Sequence, residues 1–326
     1  MSLKVKLTSN GVKKKIVTIG LIQSRVGPDM SKNFAHASDL VIKAAKKGAQ
    51  IICLPELYNV PYFPQRQAVN KDKYIEYIPG ASTFMFEEIA KMYGVVIIVP
   101  IYEKAGKAGQ KTGWRYYNSA AVINEKGRLL DVYRKIHIPH DPGFYEKEYF
   151  ENGNDGYKIF KTKFATFAVL ICYDQWFPEA ARAARLAGAE IIFYPTAIAD
   201  IIGYKHPNDW HDAWETSMRG HAIANSVAIA APNRVGIEGR SKFWGQSFVA
   251  DAWGKVLKRA SKDKEEILVQ KVDLQYNKFL SDGWGFLRNR RPDTYKSLLS
   301  NKLISKSKKL KNVAHYKDEK RALQKR

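Results

Sequence analysis

The sequence predicts an α/β protein with mixed β-sheets, and three observations carry this prediction. Short apolar runs alternate with longer amphipathic runs along most of the 326 residues. Pairs of neighbouring strand-like runs occur together with strand–helix units, which favours mixed sheets over purely parallel ones. Apolar residues make up 45% of the chain and aromatic residues 12%, enough for a substantial buried core.

The first half of the chain is assigned by the length and the period of its apolar runs. Uninterrupted runs of four to eight apolar residues predict buried strands, and apolar residues spaced three or four apart predict helices. The turn Glu125–Gly127 separates the strands of a hairpin. In order, the predicted elements are strand Ile16–Leu21, helix Lys32–Lys47, strand Ala49–Leu54, helix Ser82–Tyr93, strand Val95–Glu103, and hairpin strands Tyr117–Asn124 and Arg128–Tyr133.

The second half follows the same rules. Pro178 near a first helical position and Glu179 in a first turn indicate a helix start. Two further strands flank the turn Ala252–Gly254. In order, the other predicted elements are hairpin strands Tyr157–Lys161 and Phe164–Cys172, helix Pro178–Ala187, strand Glu190–Tyr194, helix Asn208–Ala224, strand Val227–Ala231 and strand Glu266–Val272.

The formal net charge of +22 is concentrated at the two ends of the chain. Residues 1–15 carry five Lys and no acidic residue, and residues 301–326 carry a net +8. Basic ends without interleaved aromatic residues are usually solvated, which makes a nucleic-acid partner the weaker interpretation. We therefore predict a basic N-terminal extension (1–15), one domain (16–300) and a basic C-terminal tail (301–326). The alternative from another functional class is a binding protein that uses the tail to bind polyanions.

Several classes of site are not indicated. No zinc-ligand spacing, Walker loop or GxGxxG fingerprint occurs, and the His211/Glu215 pair has helical spacing but lacks a third metal ligand. We expect neither a metal nor another cofactor. With two cysteines, no apolar signal block and no apolar run of membrane-spanning length, the sequence predicts a cytoplasmic protein that contacts no membrane.

Cys172 ends the apolar run Phe164–Cys172 and precedes the predicted helix start at Pro178. Unpaired backbone N–H groups at a helix N-terminus favour the thiolate, which is the nucleophilic form of cysteine. The position therefore predicts a catalytic thiol with a lowered pKa. The alternative is an inert core cysteine, because unpaired cysteines are commonly buried.

Two more polar residues stand where apolar strands end: Glu56 after Ile51–Leu54, and Lys135 after Tyr133. A carboxylate, an ammonium group and a thiol would suit acyl transfer, with Cys172 as nucleophile and Glu56 as general base. Lys135 and the backbone N–H of Tyr173 would stabilise the oxyanion. Each also has a structural interpretation: Glu56 capping a turn, and Lys135 as one more surface lysine.

The residues around these positions resemble the carbon–nitrogen hydrolase (nitrilase) superfamily. The similarity extends over about residues 16–300 and keeps three catalytic blocks in order. The segments that carry it are Leu54–Asn59, Tyr133–Pro139, Ile171–Glu179, Gly188–Ala197, Arg219–Asn225, Ala231–Gly236 and Arg291–Tyr295.

Within the superfamily, His137–Phe150, Cys172–Glu179 and Phe193–Ile198 are most similar to N-carbamoylputrescine amidohydrolases, which contribute to polyamine biosynthesis. The resemblance implies a four-layer α-β-β-α sandwich and subunits joined as homodimers or larger homo-oligomers. It implies the same roles for Glu56, Lys135 and Cys172, and it adds Glu146 as a carboxylate that positions substrate and lysine.

The substrate implied is a small carbamoylated diamine with a cationic tail, which a carboxylate or aromatic faces would bind. The candidates are Tyr62, Asp174 and Trp176, with Asp200 and Asp209 also available; Tyr62 and Trp176 could equally be packing aromatics. The loop Ala197–Pro207 is apolar, whereas many relatives carry a more polar loop. The identity of the substrate amine is therefore left open. A ureido acid or an ω-amide is therefore the alternative substrate, and an acidic one would want Arg182 or Arg185 in the pocket.

Overall fold

The structure is a computed structural model that describes residues 15–106, 113–204 and 209–300. The described chain divides into two units, with the boundary after Leu287. Most of the predicted N-terminal extension and the whole basic tail lie outside the described residues. Nothing in the described part is a helix both long and apolar enough to cross a membrane.

The strands of the first unit form two six-stranded sheets and one three-stranded sheet. The strands are β1 Ile16–Gln23, β2 Ile51–Cys53, β3 Val96–Ala105, β4 Arg115–Ile123, β5 Leu129–Arg134, β6 Ile159–Lys161, β7 Thr166–Val169, β8 Ile191–Phe193, β9 Ala199–Ile201, β10 Ala228–Ala231, β11 Val235–Glu238, β12 Ser241–Trp244, β13 Phe248–Ala250, β14 Val256–Arg259 and β15 Glu266–Asp273. The helices are α1 Met30–Lys46, α2 Ala81–Tyr93, α3 Pro178–Leu186, α4 Trp210–Asn225 and α5 Gln275–Trp284.

Both large sheets are mixed, as predicted. The first has the order β15-β1-β2-β3-β4-β5, with β1, β2 and β3 parallel and the other pairs antiparallel. The second has the order β14-β13-β10-β8-β7-β6, with β7, β8 and β10 parallel. The hairpins predicted in β4–β5, β6–β7 and β13–β14 are present.

The layers follow from the two buried faces of each sheet. In β2, Ile51 and Cys53 belong to the core between the sheets, whereas Ile52 packs in the core that contains residues of α1 and α2. Helices α3 and α4 pack together, and α4 also packs on β10 of the second sheet. The result is the α-β-β-α sandwich, with its main core between the sheets.

Several elements differ from the prediction. The apolar run predicted as strand Phe164–Cys172 is a strand only over Thr166–Val169. The three-stranded sheet, in the order β11-β12-β9, and α5 were not predicted. Helix α1 begins at Met30 rather than Lys32, because Asp29 caps it by accepting from Ser31 N at 2.9 Å.

Residues 288–300 belong to the second unit. They contain two short 3₁₀ helices, Pro292–Thr294 and Lys296–Leu299, and almost all of their side chains are exposed. The Arg291 guanidinium pairs with Asp293 at 2.6 Å, an exposed contact that contributes little to stability.

Candidate active site

The predicted catalytic side chains follow the ends of three strands. Glu56 comes three residues after β2, Lys135 directly after β5, and Cys172 three residues after β7. Strands β2 and β5 belong to one large sheet and β7 belongs to the other. A rigid strand thus fixes the start of each segment, and the loop that follows carries the polar group into the site.

A buried carboxylate–lysine–carboxylate chain forms the centre of the site. Lys135 Nζ donates to Glu56 Oε1 at 2.8 Å and to Glu146 Oε2 at 2.7 Å. All three side chains are 0% exposed. Burial alone would lower the pKa of Lys135, but Glu146 and Glu56 raise it above its ordinary value. The lysine is therefore a fixed positive charge and not the surface lysine of the alternative interpretation.

The two oxygens of Glu56 have different surroundings. Oε1 accepts from Lys135 and also from Asn118 Nδ2, at 2.6 Å. Oε2 is buried and has no hydrogen-bond partner among the described residues. A buried carboxylate oxygen without a donor costs free energy unless something else supplies the proton. Glu56 Oε2 is thus an acceptor available to a thiol, a water or a substrate.

Cys172 lies beside this chain. It begins a 3₁₀ helix, Cys172–Trp176, and adopts a positive φ of 42°, a strained conformation for a residue with a side chain. Glu56, Glu146 and Lys135 all interact electrostatically with its thiol. The structure therefore brings the base candidate, the lysine and the sulfur into one cluster.

The prediction of a lowered thiol pKa is wrong for the free enzyme. Burial raises the pKa of Cys172 well above its ordinary value, and the Glu56 carboxylate raises it further. Lys135 and a hydrogen bond from the backbone N–H of Ala197 oppose this rise without reversing it. Desolvation outweighs the helix terminus here, so the sulfur needs a base to remove its proton when it attacks.

The backbone N–H of Tyr173 lies in the first turn of the 3₁₀ helix, where such groups have no partner within the helix. The backbone N–H groups on either side already have acceptors: Cys172 N donates to Pro195 O at 2.9 Å, and Asp174 N donates to Ile171 O at 3.0 Å. No acceptor of the Tyr173 N–H occurs in the described part of the chain. This donor stands one residue from the sulfur.

Glu146 is held from both sides. Oε1 accepts from the hydroxyl of Tyr62 at 2.8 Å, and Oε2 accepts from Lys135. The pKa of Glu146 is raised to about 7, mainly by burial. Lys135 opposes this rise, and the Glu56 carboxylate adds to it. Tyr62 is fully buried and contacts the second carboxylate, so it belongs to the site as a hydrogen-bond donor rather than as an aromatic face.

Asp174 has a different place from the one expected of a substrate ligand. Its carboxylate is fully buried and accepts four hydrogen bonds from the protein. The donors are Tyr133 OH at 2.7 Å, Ile171 N at 3.0 Å, His137 N at 2.9 Å and His137 Nδ1 at 2.7 Å. Because these donors occupy both oxygens, Asp174 joins the Lys135 and Cys172 segments instead of facing a ligand.

The other candidates have structural partners. Trp176 is half-buried and packs against the core between the sheets. Asp209 caps α4 by accepting from Asp212 N at 3.0 Å, and Asp200 is exposed in β9. Trp214 packs on Trp244 and Phe248. Among the described residues, no group of three His, Cys, Asp or Glu side chains could hold a metal ion.

The first unit contains a cleft of about 400 Å³. It is lined by segments that adjoin the site residues in sequence: Ile136–Asp141 after Lys135, Lys147 after Glu146, and Tyr173 after Cys172. Burial raises the pKa of Tyr173. The Asp141 carboxylate raises it further, and Lys135 opposes the rise. Tyr173 therefore lines the cleft and also interacts electrostatically with Lys135 of the cluster.

Asn118 was not predicted as a site residue. It is fully buried in β4, and its side chain fixes Glu56 Oε1. The available signal was a polar residue inside the predicted strand Tyr117–Asn124. The alternation of buried and exposed positions along that strand gives no reason for a polar residue there. The pairing of β4 with β5 explains why Asn118 lies in the site, because it places Asn118 opposite Lys135: Lys135 N donates to Asn118 O at 2.9 Å.

The family model of the carbon–nitrogen hydrolases matches residues 18–279, and the chain belongs to this family. The fold and the Glu–Lys–Cys cluster described above therefore define a carbon–nitrogen hydrolase.

Within the family, the chain is similar to the N-carbamoylputrescine amidase of Solanum lycopersicum, with 42% identity over 301 residues, 88% of this chain and 96% of that protein. It is 35% identical to a citrullinase of Francisella tularensis over 87% of this chain and 98% of that protein. A carbon–nitrogen hydrolase from Helicobacter pylori G27 superimposes with a TM-score of 0.82 at 37% identity, covering 88% of this chain and all of the other. The residues that match the family model include Glu56, Lys135, Glu146 and Cys172.

Proposed function

We propose that this protein hydrolyses an N-carbamoyl amine, with N-carbamoylputrescine as the substrate, to the amine, ammonia and carbon dioxide. The observation that carries the proposal is the unpartnered Oε2 of Glu56, a carboxylate that binds Lys135 and interacts electrostatically with the Cys172 thiol. The identity of 42% to an N-carbamoylputrescine amidase supports the choice of substrate. The reaction would place this enzyme at a step that releases a diamine.

In the proposed acylation step, the Cys172 sulfur attacks the ureido carbonyl carbon while Glu56 Oε2 takes the thiol proton. The carbonyl oxygen becomes an oxyanion, which Lys135 Nζ and the backbone N–H of Tyr173 stabilise. Collapse of the tetrahedral adduct breaks one C–N bond, and Glu56 returns the proton to the departing nitrogen. A thioester on Cys172 remains.

In the proposed deacylation step, Glu56 removes a proton from water, which attacks the thioester carbon. The sulfur leaves as the thiolate and recovers its proton from Glu56. The carbamic acid that is released decomposes to carbon dioxide and the second nitrogen compound. Because the sulfur must stay reduced between turnovers, we also propose a reducing, cytoplasmic location; Cys53 and Cys172 are both unpaired.

The cationic tail of the substrate fits the charges around the site. Two carboxylates share one lysine at the cluster, and Asp141 adds a carboxylate in the cleft. An acidic tail would need a cation instead; Lys147 also lines the cleft, along with Asp141. Arg185, one of the two arginines considered for that role, donates to Asn225 O at 3.1 Å and Ala189 O at 3.0 Å, which ties it to the helix layer.

A substrate panel tests this choice. We expect kcat/KM for N-carbamoylputrescine to exceed that for a β-ureido acid or an ω-amide by at least about 100-fold, because a substrate that leaves polar groups of the site unpaired is rejected by that much or more. Ammonia release from all three substrates at equal enzyme concentration is the measurement. Preferential turnover of the ureido acid or the ω-amide would reject the substrate assignment while leaving the hydrolase class intact.

The same panel includes a matched pair of enzymes. If the cationic tail lies in the cleft, Asp141→Asn lowers kcat/KM for N-carbamoylputrescine and leaves that for a neutral N-carbamoyl alkylamine nearly unchanged. Asp251→Asn is the control, because this aspartate only stabilises the turn before Lys255. An equal loss with both substrates would place the tail elsewhere.

We further propose that the protein is a homo-oligomer. Trp253, Trp284 and Phe286 form a chain of aromatic contacts, with centroid distances of 5.4 and 5.6 Å, although each is more than a third exposed. Contiguous exposed aromatics are typical of interaction surfaces. Light scattering is expected to give at least a dimer, and Trp284→Lys to shift it toward the monomer. A wild-type monomer at micromolar concentration would contradict this proposal.

A further inference from the structure

Arg234 is a fully buried arginine outside the catalytic cluster, between β10 and β11. Its guanidinium group donates to the segment that follows the base candidate. Nε and Nη2 approach the carbonyl oxygen of Glu56 at 3.1 and 3.0 Å, and Nη2 also reaches Val60 O at 2.9 Å. A further hydrogen bond joins Nη2 to Leu57 O. One side chain thus holds three backbone carbonyls.

These carbonyls converge because the chain turns sharply after Glu56. Leu57 has a positive φ of 50°, and Val60 N donates to Leu57 O at 3.1 Å. Carbonyl oxygens that point toward one buried spot need a shared donor, since unpaired buried acceptors are costly. Arg234 is that donor, so the turn that places Glu56 depends on it.

The opposite side of the same guanidinium group is paired with Glu238. Arg234 Nη1 lies 2.8 and 3.0 Å from the two carboxylate oxygens. Glu238 Oε2 also accepts from the backbone N–H of Tyr62 at 2.7 Å. Tyr62 in turn donates its hydroxyl proton to Glu146. Arg234 is therefore linked through Glu238 and the residue Tyr62 to the second carboxylate of the site.

We propose that Arg234, together with Glu238, is a positioning residue for catalysis: it fixes the main chain of Glu56 directly and the Tyr62–Glu146 contact through Glu238. The pair thereby sets the spacing of the two carboxylates that hold Lys135. The proposal rests on the proposed role of Glu56 as the base. It differs from a purely structural role because it predicts lost catalysis in a folded enzyme.

Lysine cannot replace this arginine. An ammonium group is a compact charge with three donors, whereas the planar guanidinium group has five donors in a fixed fork. In Arg234, one edge of the fork serves the carbonyls and another serves Glu238. A lysine side chain at this position could reach the carboxylate or the carbonyls, but not both with this geometry. Arg234→Lys keeps the charge, which limits the loss of stability.

We expect Arg234→Lys to lower kcat by about 100-fold, the effect of a misplacement of about 1 Å at a reacting group. KM should change far less, because the arginine makes no contact with the cleft. Arg259→Lys is the matched control: Arg259 holds the buried carboxylate of Glu215 at 2.9 and 2.7 Å and touches none of the site residues. Its kcat should stay near the wild-type value.

Two readouts separate positioning from folding. The kcat is divided by the folded fraction from a urea transition, and the alkylation rate of Cys172 by iodoacetamide at neutral pH is followed by mass spectrometry. We expect kcat per folded molecule of Arg234→Lys to fall while unfolding stays cooperative. The alkylation rate should not fall with it, because a displaced Glu56 carboxylate raises the pKa of the Cys172 thiol less. Glu238→Gln, a milder change, should show the same pattern with a smaller effect.

A folded Arg234→Lys enzyme with kcat within threefold of wild type would overturn the inference, and so would a loss that the unfolded fraction fully explains. The proposed function fails separately. If Glu56→Gln is fully active, the base assignment is wrong, and Arg234 has no base to position. If Glu56→Gln is inactive and folded Arg234→Lys is fully active, only the positioning role is rejected.

Discussion

Replacing Cys172 by alanine is expected to abolish turnover, with kcat lowered by at least about 10⁴-fold, as the loss of a covalent nucleophile does in other hydrolases. Without the sulfur, neither the tetrahedral adduct nor the thioester can form. The remaining residues can still bind substrate and polarise its carbonyl, so KM should change less than kcat. Ammonia release over hours at high enzyme concentration is the measurement.

Cys53→Ala is the matched control for this prediction. Cys53 is the other cysteine of the chain, fully buried in β2 between the sheets. Burial raises the pKa of its thiol as well, but no site residue contributes to that shift. The alanine variant should lose some stability and keep its kcat. Undiminished ammonia release by Cys172→Ala would end the thiol mechanism.

The raised thiol pKa adds a dependence on pH. In the free enzyme Cys172 holds its proton at neutral pH, because burial and Glu56 both favour the neutral form. Alkylation by iodoacetamide should therefore be slow at pH 7 and should accelerate as the pH rises. Substrate turnover need not follow that curve, since the proton passes to Glu56 within the site. Fast alkylation at pH 6 would contradict this account of the electrostatics around the thiol.

The strands that carry the cluster were predictable because their apolar runs are strong local signals. Ile51–Leu54 is apolar at every position, and the structure buries both of its faces. The strand ends then placed Glu56 and Lys135 at loop starts. The family resemblance supplied Glu146, which no spacing argument favoured. The residues of the cluster were thus predictable, although their contacts were not.

The small sheet and α5 could not be predicted for a physical reason. Strands β9, β11 and β12 are three or four residues long and mix Asp200, Glu238 and Lys242 with apolar residues. Their pairing with one another, rather than a local period, makes them strands. Helix α5 is only ten residues long and buries only Asn277 and Leu280, so burial of an apolar face does not mark it.

The error on the thiol pKa has a similar origin. The sequence shows that Cys172 precedes a helix start, and a helix terminus is a local feature. The pKa depends instead on desolvation by both sheets and on Glu56, which is distant in sequence. The same holds for Asp174: three of its four hydrogen bonds come from Tyr133 and His137, which only the fold brings near it.

Glu56→Gln is the second change with a large expected effect, because it alters chemistry while it keeps the shape of the side chain. The amide oxygen can still accept from Asn118 and Lys135, as Oε1 does. The amide nitrogen would then stand where the unpartnered Oε2 is, and it can donate a proton but not accept one. We expect kcat to fall by about 10² to 10⁴-fold, the range for loss of a general base.

Both half-reactions should be affected, since the same oxygen serves the thiol and the water. Single-turnover mass spectrometry on Glu56→Gln should show slow formation of the Cys172 thioester and slow loss of any that forms. Glu215→Gln is the control: this carboxylate is also buried, but it binds Arg259 at 2.7 and 2.9 Å and is not joined to the cluster. Its folded fraction should turn over at the wild-type rate. If Glu56→Gln forms and clears the thioester as fast as the wild type, another group takes the proton, and the unpartnered oxygen of Glu56 has no part in the chemistry.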